Sequence, residues 1–367
     1  MFIKSIELEN FRNYVNQKIV FSRETNIIYG NNAQGKTNIL EGISMFSAGK
    51  SFKRAADRDL IKFSEERARV FIEFESNGTE KNAEIIINRG KAKFIKLCGT
   101  NLYKTSDLLG KFKCVVFSPE EMALISGAPE LRRSFADLYL SSEKPLYYDR
   151  LKRYYKILKQ KNNLLKKFAD SSKDTLDIWN EELAGAGAKI MMYRKKLTEN
   201  INPYAEKYFD EITNGGEKFE MRYQPSVQSD DFTEENLKNL LYDTMTKKLQ
   251  TEMQLGAAVV GIHRDDFNFF INGQNTKQFC SQGQQRTSVI ALKMAQAEIL
   301  KEKSGEYPVF LLDDIMSELD MQRRTYISDK IKDKQVIITC TDKYKSVGAK
   351  YFYVENGTVT EKISDGE

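Results

Sequence analysis

Asn26-Ile27-Ile28-Tyr29-Gly30-Asn31-Asn32-Ala33-Gln34-Gly35-Lys36-Thr37 sets the frame for the rest of the chain. Its first four residues read as a buried strand, and a helical pattern runs on from Thr37 to Phe46. Strand, glycine-rich loop and helix in that order are the context a GxxxxGK[ST] phosphate loop needs. Gly30 and Gly35 let backbone amides curl around phosphate oxygens. Lys36 brings a positive charge to the β/γ oxygens, and the Thr37 hydroxyl is a Mg²⁺ ligand in such loops. The helix N-terminus adds its own unpaired amides. A chance glycine-rich turn is the bland alternative, and it leaves the flanking pattern unexplained. Gly30, Asn31, Asn32, Ala33, Gln34, Gly35, Lys36 and Thr37 are therefore the expected nucleotide-binding set, with Lys36 also acting catalytically.

Working outward, Phe2, Ile6, Leu8 and Phe11 predict a strand running into Asn10-Phe11-Arg12-Asn13-Tyr14, and Lys18 to Phe21 a second. Val70 to Phe74, Ala83 to Ile87 and Phe94 to Leu97 read as antiparallel strands, and Cys114 to Phe117 as another ended by Ser118-Pro119. From Glu120 to Thr213 the period is helical: Leu151, Tyr154, Leu158, Leu165 and Phe168 share one face, as do Leu183, Ile190, Tyr193 and Leu197. Lys218 to Tyr223 predicts a strand and Thr233 to Gln250 a helix. Val309 to Leu312 and Val336 to Thr339 are continuous apolar runs, as in parallel strands buried on both faces. The expected organisation is an α/β lobe split between 1–118 and 255–367, with a mostly helical lobe, 119–254, inserted.

Two further stretches carry chemistry. Pro308-Val309-Phe310-Leu311-Leu312-Asp313-Asp314 is a buried strand that delivers carboxylates at its C-terminal end, where ligands bind in parallel α/β sheets. Asp313 is the expected Mg²⁺ partner of Thr37, and Asp314 the catalytic group that orients or deprotonates water. The alternative is a plain acidic cap. Phe279-Cys280-Ser281-Gln282-Gly283-Gln284-Gln285-Arg286-Thr287 opens a long helix expected from Gln284 to Lys303. Such an N-terminus can hold a phosphate, or it is simply capped.

Composition narrows the class. Charged residues are 30% and hydrophobic ones 41% of 367, so the chain reads as a large globular protein. No run approaches the roughly 18 apolar residues of a membrane span, and Met1 to Glu7 lacks a signal h-region; a cytoplasmic protein with no membrane partner is expected. Cys98, Cys114, Cys280 and Cys340 form no CxxC pair and His263 is the single histidine, which argues against zinc. Net charge is only +5, so local clusters matter more. Arg150, Lys152, Arg153, Lys156, Lys159, Lys161, Lys166 and Lys167 occupy one acid-free stretch interleaved with Tyr154 and Tyr155. It is either a solvated lysine face or a groove for a polyanion. Lys50, Lys53 and Arg54 form a second basic cluster.

Ser281-Gln282-Gly283-Gln284-Gln285 upstream of an apolar-Asp-Asp strand resembles the signature of ABC-type ATPases. Glu9 to Tyr14, Phe117-Ser118-Pro119-Glu120-Glu121, Gly261-Ile262-His263-Arg264-Asp265-Asp266, Ser281 to Thr287 and Leu312 to Asp320 together resemble the bacterial RecF family, in order over nearly the whole chain. The resemblance implies an ABC-type P-loop ATPase head of α/β class with an inserted helical lobe and no long coiled coil. It implies ATP and Mg²⁺, and an ATP-dependent homodimer in which Ser281, Gln282, Gly283 and Gln284 of one copy cap the nucleotide of the other. Ser317, Glu318, Leu319 and Asp320 take the D-loop place, and Arg12 a place near the nucleotide. Implied partners are DNA, double-stranded, single-stranded and at junctions, with RecO and RecR; implied roles are repair, replication restart and SOS induction. Lys53, Arg54, Arg150, Lys152, Arg153 and Lys156 become DNA contacts. Asp314 stands where most ABC ATPases have glutamate, and Thr341 where they have histidine, so a slow, DNA-modulated ATPase is expected. A transporter subunit and a small-molecule kinase are the competing readings. The first would need a membrane partner, and the second leaves the signature unexplained.

Overall fold

The computed structural model describes residues 1–166, 173–343, 346 and 348–362. The chain forms two compact units: Met1–Ala123, Lys207–Gly216 and Ser281–Glu367 make the first, and Leu124–Glu206 with Glu217–Cys280 the second.

The first unit holds two six-stranded sheets. One is an antiparallel sheet of β1 (Phe2–Phe11), β2 (Tyr14–Val20), β4 (Arg67–Ser76), β5 (Thr79–Asn88), β6 (Phe94–Leu97) and β7 (Thr100–Leu102), in the order β2-β1-β4-β5-β6-β7. The other contains β3 (Thr25–Tyr29), β8 (Cys114–Phe117), β12 (Val309–Asp313), β13 (Val336–Cys340), β14 (Lys350–Glu355) and β15 (Thr358–Lys362), in the order β15-β14-β3-β13-β12-β8. Every pairing in it is parallel except β14 with β15. The helix α1 (Lys36–Ala48) contributes Ile39, Leu40, Ile43, Met45 and Phe46 to a core shared by strands of both sheets. It stops at Gly49, whose left-handed φ of 70° lets its amide close on the Met45 carbonyl. All five residues of β12 and of β13 are buried, as continuous apolar runs require. The short α2 (Pro119–Met122) follows β8 with proline at its first position. The remaining helices of this unit are α8 (Gln282–Ser304), α9 (Ile315–Glu318) and α10 (Met321–Ile331).

The second unit is built on α3 (Pro129–Glu143), α4 (Pro145–Lys166), most of α5 (Lys173–Thr213) and α6 (Glu234–Leu255), with α7 (Thr276–Phe279) and a three-stranded sheet, β11-β10-β9. Its strands are β9 (Phe219–Gln224), β10 (Asp266–Ile271) and β11 (Gln274–Asn275). The 254/255 boundary expected from sequence gives way to one at 280/281, because β10 pairs with β9 and Arg132 of α3 holds Asp266 at 2.7 Å. Phe168 and Lys167 lie outside the described residues.

Gly261 to Asp265 form a turn that leads into β10 at Asp266, and the buried Asp265 organises the unit. Asp265 is fully buried and accepts from Arg194 at 3.0 Å, from the Ser226 amide at 2.8 Å and from the Tyr223 hydroxyl. Arg194, also fully buried, donates to Asp137 at 3.0 Å and to the Ile262 carbonyl at 2.7 Å. His263 meets the Tyr154 hydroxyl at 2.8 Å, and burial pushes its pKa down to about 4. Breaking such a buried pair strands uncompensated charge, so Arg194→Met is expected to destabilise the chain by about 3–5 kcal/mol. Urea unfolding followed by circular dichroism measures this, and a midpoint equal to the parent's would refute the structural role.

Candidate active site

The phosphate loop leaves β3 and enters α1 with three positive φ values: 147° at Gly30, 64° at Ala33 and 113° at Gly35. A methyl group on Gly30 would lie 2.4 Å from the Val354 carbonyl oxygen, and one on Gly35 2.5 Å from the Asn13 amide. The loop therefore admits no side chain at either glycine and presents its backbone. Three neighbours hold it. The Asn13 Nδ2 donates to the Gln34 carbonyl at 2.7 Å, the Tyr14 hydroxyl to the Gly35 carbonyl at 3.0 Å, and the Asn356 amide to Gln34 Oε1 at 2.6 Å. Lys36 Nζ is buried within the loop and donates to the carbonyls of Gly30 at 2.5 Å and Asn31 at 2.9 Å. Burial draws its pKa down, and the charge of Asp314 leads those that oppose the shift.

The pairing of β3 with β13, and of β13 with β12, brings residues almost three hundred positions apart into contact. Thr37 Oγ1 donates to Asp313 Oδ1 at 2.7 Å, and Thr339 Oγ1 donates to the same oxygen at 2.8 Å. Burial pushes the Asp313 carboxyl up, while the bonds from Thr37 and Thr339 pull it back. Asp314 turns sharply away in the left-handed region, φ 51° and ψ 17°. Its amide reaches both the carbonyl (3.2 Å) and the hydroxyl (3.0 Å) of Thr339. A non-glycine residue in this conformation is uncommon and clusters at functional sites. Glu120 of α2, just past neighbouring β8, adds a further negative charge felt by Asp313.

The structure thus unites Gly30 to Thr37 with Asp313 and Asp314. The Arg12 side chain is held by Glu41 and Asp59. Its Nε and Nη2 donate to both oxygens of Glu41 at 2.9 and 2.7 Å, and its Nη1 to the Asp59 carbonyl at 2.9 Å. Glu41 is fully buried on α1, and a lone acid in the apolar stretch Ile39 to Phe46 was the signal that such a partner was needed. The Thr339 hydroxyl of β13 reaches Asp313, and beyond the strand the Thr341 hydroxyl donates to neighbouring Asp342 at 3.2 Å.

Ser281 caps α8 as half of a capping box. It accepts from the Gln284 amide at 3.1 Å while Gln284 Oε1 accepts from the Ser281 amide at 3.0 Å. Asp320 caps α10, accepting from the Arg323 amide at 3.0 Å. The Arg323 guanidinium pairs with Asp320 and donates to Thr287 of α8 at 2.8 Å, tying the Ser317 to Asp320 segment to the helix that Ser281 opens.

The basic helix proves divided. Lys152, Arg153, Lys156, Lys159 and Lys166 are exposed on α4, with Arg153 paired to Glu182. Lys161 is fully buried against Glu252 at 2.6 Å and is removed from any surface role. Arg150 donates to the Tyr193 hydroxyl at 3.0 Å. Lys53 is half-buried and Arg54 exposed beyond the end of α1.

A split α/β core, a P-loop facing an Asp-Asp strand and a capped signature helix define the head of an ABC-type ATPase. The family described as the RecF/RecN/SMC N-terminal domain matches residues 2–358. The chain is 39% identical to DNA replication and repair protein RecF of Ruminiclostridium cellulolyticum, over 98% of this chain and 99% of that one, and 37% identical to RecF of Clostridium tetani, over 98% and 100%. A solved structure of the recombination mediator protein RecF-ATP in the RecFOR pathway matches with a TM-score of 0.91 at 38% identity, covering 99% and 98% of the two chains. An SMC head bound to the C-winged helix domain of ScpA matches at 0.52 and 16%, a likeness of fold. The chain belongs to the RecF family of DNA replication and repair proteins. Among the described residues no helix is long and apolar enough to cross a membrane.

Proposed function

We propose that this chain is a cytoplasmic ATP-gated DNA-binding protein of recombinational repair and replication restart. It binds DNA at gaps or ends, single-stranded linear DNA included, and supports recombinase loading and SOS induction. The observation that carries the reading is the meeting of the phosphate loop with Asp313 and Asp314 at the carboxyl edge of one parallel sheet. ATP is supported by the relative solved as RecF-ATP, and RecO and RecR as partners by that relative's RecFOR pathway. A transporter subunit would leave the full-length likeness to RecF proteins unexplained.

The loop amides and Lys36 bind the phosphates. The cradle that a Cβ would fill and the Thr37–Asp313 oxygens suit a Mg²⁺ completed by phosphate and water; the ion would supply charge neutralisation on those phosphates. Thr339 fixes the Asp313 carboxylate. Asp314, aimed by its left-handed backbone, accepts the proton of the attacking water. Ser281 to Gln284 and Ser317 to Asp320 of a second copy complete the site, so the nucleotide works chiefly as a dimer switch. The short Asp314 side chain and the lack of histidine at Thr341 keep hydrolysis slow and open to modulation by DNA.

Light scattering with ATP and Mg²⁺, with and without DNA, tests this directly. A dimer that forms with ATP and decays as it is hydrolysed is the expected outcome. A monomer under every condition would sink the reading.

A further inference from the structure

Three loops of the first unit gather beyond the C-terminal end of α1. Lys93 Nζ donates to the Gly49 carbonyl at 2.9 Å and pairs with Asp57 at 2.7 Å, which joins the β5–β6 turn to the segment after α1. A methyl group on Gly49 would lie 2.6 Å from the Thr105 side chain, which brings in the segment after β7. Residues 49–60, 89–93 and 103–107 carry eight cations against three acids. Their surplus equals the +5 of the entire chain, so the rest is electrically balanced. Arg54, Lys91 and Lys104 are exposed, with no ion-pair partner among the described residues, and the Arg58 side chain is 75% exposed beside Asp59. Tyr103, next to Lys104, is 98% exposed. A basic surface around an uncovered aromatic ring is what a nucleic-acid strand with open base faces would fit.

We propose that these loops form a binding surface for single-stranded DNA on the nucleotide-binding unit itself. Tyr103 is its stacking platform, and Arg54, Arg58, Lys91 and Lys104 are its phosphate contacts. The inference rests on the DNA-binding reading above and gives it a place distinct from α4. Duplex DNA hides its base faces, so the ring favours unpaired bases, while the cations act on any backbone. The surface is also wired to the nucleotide site. The Ser51 hydroxyl donates to Glu41 of α1 and accepts from the Lys53 amide at 3.1 Å, and Glu41 in turn holds Arg12.

The test is fluorescence anisotropy of the full chain with ATP, using a thymine oligonucleotide and a duplex of equal length over a range of salt. Tyr103→Ala is expected to weaken single-strand binding roughly tenfold and to leave duplex binding unchanged. Lys91→Glu combined with Lys104→Glu is expected to weaken both and to flatten the salt dependence of single-strand binding by about one to two units of slope. Binding of a fluorescent ATP analogue should stay at the parental value, since none of the three side chains touches the phosphate loop. If the parent binds neither oligonucleotide, the DNA-binding reading fails and this inference with it. If the parent binds and both variants bind the single strand equally well, the inference alone is overturned. Equal loss on both DNAs for Tyr103→Ala would overturn the stacking role.

Discussion

Replacing Lys36 by alanine is expected to weaken ATP binding by at least about a hundredfold and to abolish ATP-dependent dimerisation. The Lys36 ammonium is the single cation inside the loop, and it is buried there between the Gly30 and Asn31 carbonyls. Hydrogen bonds to charged groups contribute about 1.5–3 kcal/mol, and Lys36 can offer more than one to neighbouring phosphate oxygens. Losing about 3 kcal/mol corresponds to a little over a hundredfold in affinity. The loop itself should survive, because Asn13, Tyr14 and the Asn356 amide hold its backbone without help from the ammonium. Equilibrium dialysis with ATP and a melting curve without it separate the two effects. Parental affinity in the alanine variant would remove Lys36 from the site.

Asp314→Asn should have the largest effect on turnover. Asparagine keeps the size of the side chain and tolerates the left-handed conformation seen at φ 51°. The Thr339 contacts to the residue-314 amide are backbone-directed and remain. Asp313, which bonds Thr37, is untouched. What disappears is the proton acceptor. General base catalysis contributes about 10²–10⁴-fold, so hydrolysis should fall by at least about a hundredfold while ATP affinity changes little. The ATP-bound dimer should outlive the parent's in light scattering. Hydrolysis at the parental rate would assign the base elsewhere, with Glu120 the next carboxylate to test, since its charge acts on Asp313 from α2.

How far the site could be read in advance follows the range of each interaction. Gly30 to Thr37 was legible because the requirement is local: two glycines, a lysine and a hydroxyl at fixed spacing between a strand and a helix. Asp313 and Asp314 were legible because an apolar strand ending in acids announces itself, and the 2.7 Å bond from Thr37 joins the two halves as expected. The partners of Arg12 and Thr341 were not legible in their own stretches. Each lies one or two residues from the side chain that reaches the loop or Asp313, Asn13 and Tyr14 in one case and Thr339 in the other. Arg12 lies in the turn between β1 and β2 and Thr341 just past the end of β13, so strand alternation fixes the direction of neither side chain. Lys161 looked like its basic neighbours, but helical phase turns it inward onto Glu252. The acid of the His263 to Asp266 segment resisted assignment because Arg194, Tyr223 and Ser226 converge on it from distant parts of the chain.

By itself the sequence determined the class of fold, the nucleotide loop and the strand that faces it. Those features rest on spacing and hydrophobic period, which the chain carries locally. Only the tertiary structure decided which polar side chains serve the site and which serve the core. It moved Arg12 to Glu41, gave Asp313 its second bond from Thr339, buried Lys161 and gathered Arg54, Lys91, Lys104 and Tyr103 from three separate loops. The physical reason is that a polar group's role depends on the partner that long-range strand pairing and helix packing bring to it, and that partner is not written in its own neighbourhood.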